Sequence, residues 1–80
     1  MIHELKTHPQ YFDLVEAGLK SFELRKDDRA FGTGDTLLLQ EYDPDEECYT
    51  GAVLCAVVTC VVRGAWLAPG HVALGIRVLR

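Results

Sequence analysis

The spacing at which apolar positions recur along this chain changes twice. Ile2 to Lys6 reads as a short first strand. Further on the period lengthens, with Phe12, Val15 and Leu19 recurring at helical spacing while Asp13 and Glu16 fall on the other side. A helix over His8 to Ala17 follows from this. Thr7 with Gln10 three positions later offers a capping box, Pro9 suits the first turn, and Gly18 supplies the left-handed residue that ends such helices.

The period then returns to two. In SFELRK an extended chain puts Ser21, Glu23 and Arg25 on one face and Phe22 and Leu24 on the other, so the apolar pair is expected to anchor the strand in a core. The polar trio would then be displayed, with Lys20 before it and Lys26 to Arg29 after it. AFGTGD is a Gly-rich turn in which Asp35 is expected to bond its own turn; it lacks the third glycine of a dinucleotide fingerprint and leads into a strand. TLLLQEYD is the third strand, and Asp43 to Gly51 an acidic loop. Ala52 to Arg63 is apolar on both faces, which predicts a long central strand covered on two sides. HVALGIRVL alternates Val72, Leu74, Ile76 and Val78 inward against His71, Ala73, Gly75 and Arg77 outward. Small sheets protect their edges by closing on themselves. The expected fold is α+β, mainly β: a five- to six-stranded, partly closed barrel capped by one main N-terminal helix.

Composition narrows the function classes. Eighty residues make one domain, 1–80, which buries only roughly 60% of its unfolded surface and should have a thin stability margin. The net charge of −4 argues against a broad phosphate-binding face. Five of the twelve acids crowd between Glu41 and Glu47, however, and the remaining chain has eight basic against seven acidic residues, a net of +1. A local basic site is compatible with that. Cys48, Cys55 and Cys60 include no CxxC pair and are expected to be reduced, buried core thiols. His3, His8 and His71 lack metal-ligand spacing, so no metal and no cofactor are expected. MIHELKTHPQ lacks a leader's apolar stretch and no run is long enough to span a bilayer, which points to a cytoplasmic protein, monomeric or weakly dimeric.

One stretch carries a resemblance. Gly18, Lys20, Glu23 and Arg25 in GLKSFELR match the G-x-K-x-x-E-x-R signature of the ASCH domain family, within the PUA-like superfamily of small β-barrels. The ordered set H-x-L-K, helix, G-x-K-x-F-E-x-R-K and D-R-x-F-x-x-G-D resembles a subgroup of short bacterial and phage ASCH-like proteins, closely over the first half of the chain and loosely over HVALGI. The resemblance implies a PUA-like barrel with a cleft between helix and barrel, and an RNA- or nucleotide-binding role. It also brings in the small ASCH amidohydrolases that deacetylate N4-acetylcytidine with a Lys, a Thr three residues later and a further Glu. Lys20 matches their Lys and Arg25 a nearby basic residue, but Glu23 stands in place of the Thr, and the last strand has no acid.

As a unit, Lys20, Glu23 and Arg25 suit nucleotide recognition: a guanidinium fork for phosphate or carbonyl oxygen, an ammonium as point charge, and a carboxylate accepting from an exocyclic amine. The expected ligand-binding residues are Lys20, Glu23, Arg25, Lys26, Arg29 and His3, the last sharing its strand with Lys6. Tyr11, Phe22, Phe31 and Tyr42 are the candidate stacking rings, Phe22 being the one assigned to the core. If the protein is an enzyme, Lys20, Glu23 and Ser21 would carry the chemistry by activating water or a hydroxyl. The competing structural role is an ion-pair network of Glu23, Arg25, Lys26, Asp28 and Arg29 that braces the rim.

Overall fold

Each segment read as extended forms a strand, and the one segment at helical spacing forms the helix. A computed structural model describes residues 1–80: β1 (Ile2–Thr7), α1 (Pro9–Glu16), β2 (Phe22–Lys26), β3 (Thr36–Asp43), β4 (Cys48–Val62) and β5 (His71–Val78). The five strands make one sheet in the order β1-β3-β4-β5-β2, curled into a half-barrel. β1 pairs with β3 in parallel, and the other three pairings are antiparallel. Although β1 and β2 are consecutive strands, they occupy the two opposite edges of the sheet. The chain between them, including α1, therefore connects the two edges.

The helix is shorter than the sequence predicts and is capped differently. His8 is the N-cap and makes no side-chain cap bond, because Thr7 remains in β1 with its side chain turned inward. Pro9 occupies the first turn as expected, the Ala17 N–H donates to the Asp13 carbonyl at 2.9 Å, and Gly18 leaves the helix with φ 77°. Phe12 and Val15 are buried, whereas Leu19, placed on the same face by the spacing, is exposed because the helix ends before it.

Leu5, Leu37, Leu39, Ala56, Val58, Val72, Leu74 and Ile76 line the inner face of the sheet and pack with Val15 and Phe31 into one core. The alternation expected for β5 is borne out, with Val72, Leu74 and Ile76 buried and His71 and Arg77 exposed. β4 is central in the sheet, as expected, but it starts at Cys48 and is covered on one face only. Its outer face meets no second layer, so Val53, Val62, Cys55 and Cys60 are exposed, and Cys48 is exposed at the start of the strand. A bulge between Val58 and Cys60 adds one residue and shifts the later positions by one face, so that Cys55 and Cys60 are both exposed despite their odd spacing. Gly75 lies opposite this bulge, where a Cβ would stand 2.7 Å from Cys60 Sγ and 2.8 Å from Thr59 Oγ1.

Only 14 of the 80 residues are buried, and the three polar ones among them, His3, Thr7 and Glu23, all belong to the edge strands β1 and β2. None has an unsatisfied buried polar atom. His3 Nε2 donates to Asp35 Oδ2 at 2.8 Å, and the imidazole packs on Phe31 with ring centroids 4.7 Å apart. Asp35 also accepts from the Gly32 N–H at 3.0 Å, the turn bond that the sequence predicts, and from the Met1 amino group at 3.3 Å. It thereby fixes the start of β3 against β1.

The His3 hydrogen bond, with help from Gly32 and the amino terminus, holds the Asp35 carboxyl down from its ordinary 3.8 to about 2. A depressed acid binds its proton less readily folded than unfolded, so its stabilisation is complete above about pH 4 and is lost as pH falls toward 2. Asp35→Asn should lower the urea midpoint at neutral pH, and the gap from the native chain should close between pH 4 and 2. A gap independent of pH would remove the ionic component.

Candidate functional site

β2 is an edge strand hydrogen-bonded to β5 on one side, and its alternation runs opposite to the one expected from apolar burial. Glu23 is buried at 3% exposure, whereas Phe22 and Leu24 are 46% and 59% exposed. The inner face of β2 looks across the open seam toward β1, where polar groups from both edges can satisfy one another. The outer, apolar pair is left beside the free edge, where it lines a cleft instead of filling the core.

One carboxylate organises the seam. Lys20 Nζ donates to Glu23 Oε1 at 2.8 Å and to the Phe22 carbonyl at 2.7 Å. From the other side Arg25 brings Nε and Nη2 to Glu23 Oε2, each at 3.0 Å. Arg25 Nη2 also donates across the seam to Thr7 Oγ1 at 3.2 Å, tying β2 to β1 without a backbone ladder. Each Glu23 oxygen thus has its own cation, which is what keeping a charge at 3% exposure demands, since an unpaired buried ion costs several kcal/mol. Arg25 Nη1 makes no hydrogen bond within the chain and is the free end of the fork.

These groups stand in an open cleft of about 690 Å³ between the α1 segment and β2. Its mouth is apolar and aromatic, with Tyr11 and Leu14 from α1, Leu19 from the following turn, and Phe22 and Leu24 from β2. Lys20 Nζ lies 5.8 Å from the Tyr11 ring centroid and 5.0 Å from that of Phe22. Lys6 and His8 complete the rim; the Lys6 ammonium rests over the Tyr42 ring at 4.0 Å. The volume falls in the range of small-molecule sites, roughly 300–1,000 Å³.

Lys20, Glu23 and Arg25 are therefore brought together, and the other expected residues are not. Lys26 is exposed at the end of β2, outside the cleft. Arg29 donates to the Glu4 carbonyl at 2.7 Å as a second tie across the seam, and its contact with Asp28 is loose at 3.8 Å. His3 is committed to Asp35 and, like Arg29, borders a different recess. Ser21 is exposed, with its carbonyl accepting from the Ile76 N–H at 3.0 Å. Phe31 belongs to the core and Tyr42 lies beyond the rim, so Tyr11 and Phe22 are the aromatics at the site. Away from the cleft, Arg63 forks onto Asp27 at 2.7 and 3.2 Å and holds that acid below its ordinary range.

Thr7 is the site residue that sequence reasoning missed. Its signal was present in the period-two run His3, Leu5, Thr7, which places the hydroxyl inward, but the pairing with Gln10 favoured a helix cap.

Glu23→Gln leaves the Lys20 and Arg25 cations facing each other. Stability should fall by about 1–3 kcal/mol, because both partners keep some access to water. Added salt should recover part of the loss by screening the repulsion, and urea midpoints at two ionic strengths measure both effects. Unchanged stability would show that the triad holds nothing.

Two comparisons place the chain among known proteins. A family model described as a domain of unknown function, DUF3850, matches residues 2–76. Over 60 residues the chain is 47% identical to an "uncharacterized 12.9 kDa protein in GpA 3'region" of Escherichia phage P2. That alignment takes in 75% of this chain and 53% of the phage protein, so the chain spans about half the length of this relative. With nearly every residue inside the matched interval, the chain belongs to the DUF3850 family.

Proposed function

We propose that this domain binds RNA or nucleotides in the cleft between α1 and β2, and that within its family it is an ASCH-like, PUA-type module. The observation that carries this is the pairing of chemistries in one recess: an arginine with a free Nη1 beside two exposed aromatic rings, Tyr11 and Phe22. Nucleotides carry both complements, a π-face for stacking and oxygen acceptors for a guanidinium. Fixing Arg25 in advance on Glu23 and Thr7 reduces the side-chain ordering cost of binding. The G-x-K-x-x-E-x-R residues supply the whole triad, which supports the ASCH-like placement.

Hydrolysis of N4-acetylcytidine is the second reading, favoured by the 2.8 Å contact between Lys20 and Glu23. There the pair would activate a water that attacks the acetyl carbonyl, the C–N bond would break, and acetate and cytidine would leave.

The test is a panel of nucleosides, nucleotides, short RNAs and N4-acetylcytidine, followed by thermal shift and titration. Native-state ligands should raise the melting temperature. Arg25→Ala and Lys20→Ala should each weaken binding by about 10- to 100-fold, as expected for charge-assisted hydrogen bonds. Arg25→Lys should keep the charge, lose the fork and fall between. Binding that survives both alanine variants would put the site elsewhere, and acetate release from N4-acetylcytidine would favour the hydrolytic reading.

A further inference from the structure

Resting on the nucleotide-binding proposal, the charge distribution narrows the ligand. Among the cleft residues Lys6, Lys20 and Arg25 face a single acid, Glu23, for a formal +2 with His8 neutral. The whole chain carries −4, so everything outside the cleft carries −6. Much of that lies on the β3–β4 hairpin, where Glu41, Asp43, Asp45, Glu46 and Glu47 are clustered. Without those five acids the rest of the chain outside the cleft still nets −1, so a polyanionic strand leaving the cleft finds no extended basic groove of the kind single-strand binders use.

A small ligand needs no such groove. We propose that the cleft takes a free nucleoside monophosphate, gripping the terminal phosphomonoester and seating the base against the aromatic mouth. A phosphomonoester carries about −1.5 to −2 near pH 7, twice the charge of an internal phosphodiester, and so matches the local +2. The free Arg25 Nη1 supplies a donor directed by Glu23 and Thr7. Lys6 reaches the phosphate by swinging its long stem off Tyr42, releasing one weak exposed cation–π contact. Tyr11 and Phe22, both about half exposed, offer their rings to the base.

Isothermal titration with four probe types tests this: ribonucleosides, their 5′-monophosphates, an eight-nucleotide RNA with hydroxyl ends, and the same RNA with a 5′-phosphate. At least one monophosphate should bind 10-fold or more tightly than its nucleoside. The hydroxyl-ended RNA should bind no better than a nucleoside, and the phosphorylated RNA no better than the monophosphate. Arg25→Gln should erase the monophosphate's advantage, and Lys26→Gln, outside the cleft, should leave it intact. Should Arg25→Gln fail to fold, salt titration of the native chain serves instead: monophosphate affinity should fall with salt while nucleoside affinity holds. Tighter binding of hydroxyl-ended RNA than of any monophosphate, or equal binding of nucleoside and monophosphate, overturns this inference and leaves the nucleotide-binding proposal standing. Failure of every probe to bind overturns both.

Discussion

A half-barrel whose two edge strands do not pair has to satisfy its open seam with something other than a backbone ladder. Here β1 and β2 are those edges, and the polar interior of the protein is concentrated on them: His3, Thr7 and Glu23 are its only buried polar residues. Glu23 is the constraint from which the site follows. A carboxylate at that depth has to hold cations close, and Lys20 and Arg25 approach it from opposite sides. Once Arg25 is held there, its reach to Thr7 links the two edges, and Arg29 adds a second tie to the Glu4 carbonyl. The seam is thus closed by side chains, which leave room for a cleft that a ladder would have filled.

The same arrangement connects stability to function. With 14 residues buried, the core is small, and a charged triad at its margin cannot be lost at little cost. Groups that brace the seam are also those aimed into the cleft, so the structural role of Lys20, Glu23 and Arg25 and the proposed ligand-binding role do not compete. Exposed Tyr11, Leu14, Leu19, Phe22 and Leu24 around the cleft form an apolar concentration that folding alone does not require.

Much of the fold was legible in the sequence because strand and helix periods differ so clearly. The single helix, the inward face of β5 and the Asp35 turn follow from local pattern, and the partly closed barrel follows from the need of a small sheet to protect its edges. Burial direction was less legible. Phe22 and Leu24 are expected inside because apolar residues usually win the core, yet the buried Glu23 has cations from the preceding turn and from its own strand, Arg25 reaching on to Thr7 of β1, and no period-two pattern reveals them. The exposed cysteines follow from a bulge and from a sheet face without a second layer, both properties of long-range pairing. The triad itself is readable from GLKSFELR, whereas Lys26 and Arg29 are assigned to it through proximity in sequence and His3 through the strand it shares with Lys6, and Lys26 falls outside the cleft while Arg29 and His3 border a different recess.

The central claim is that Glu23 aims Arg25, and the Arg25 side-chain Nε–H reports on it directly. In nitrogen-15 NMR spectra of the native chain that proton should exchange slowly with water and resonate apart from the other arginines, because it donates to a carboxylate at 3% exposure. Glu23→Gln should weaken the anchor and bring the exchange close to that of an exposed arginine. An Arg25 Nε–H that exchanges like the exposed arginines in the native chain would contradict the fixed geometry on which the cleft depends.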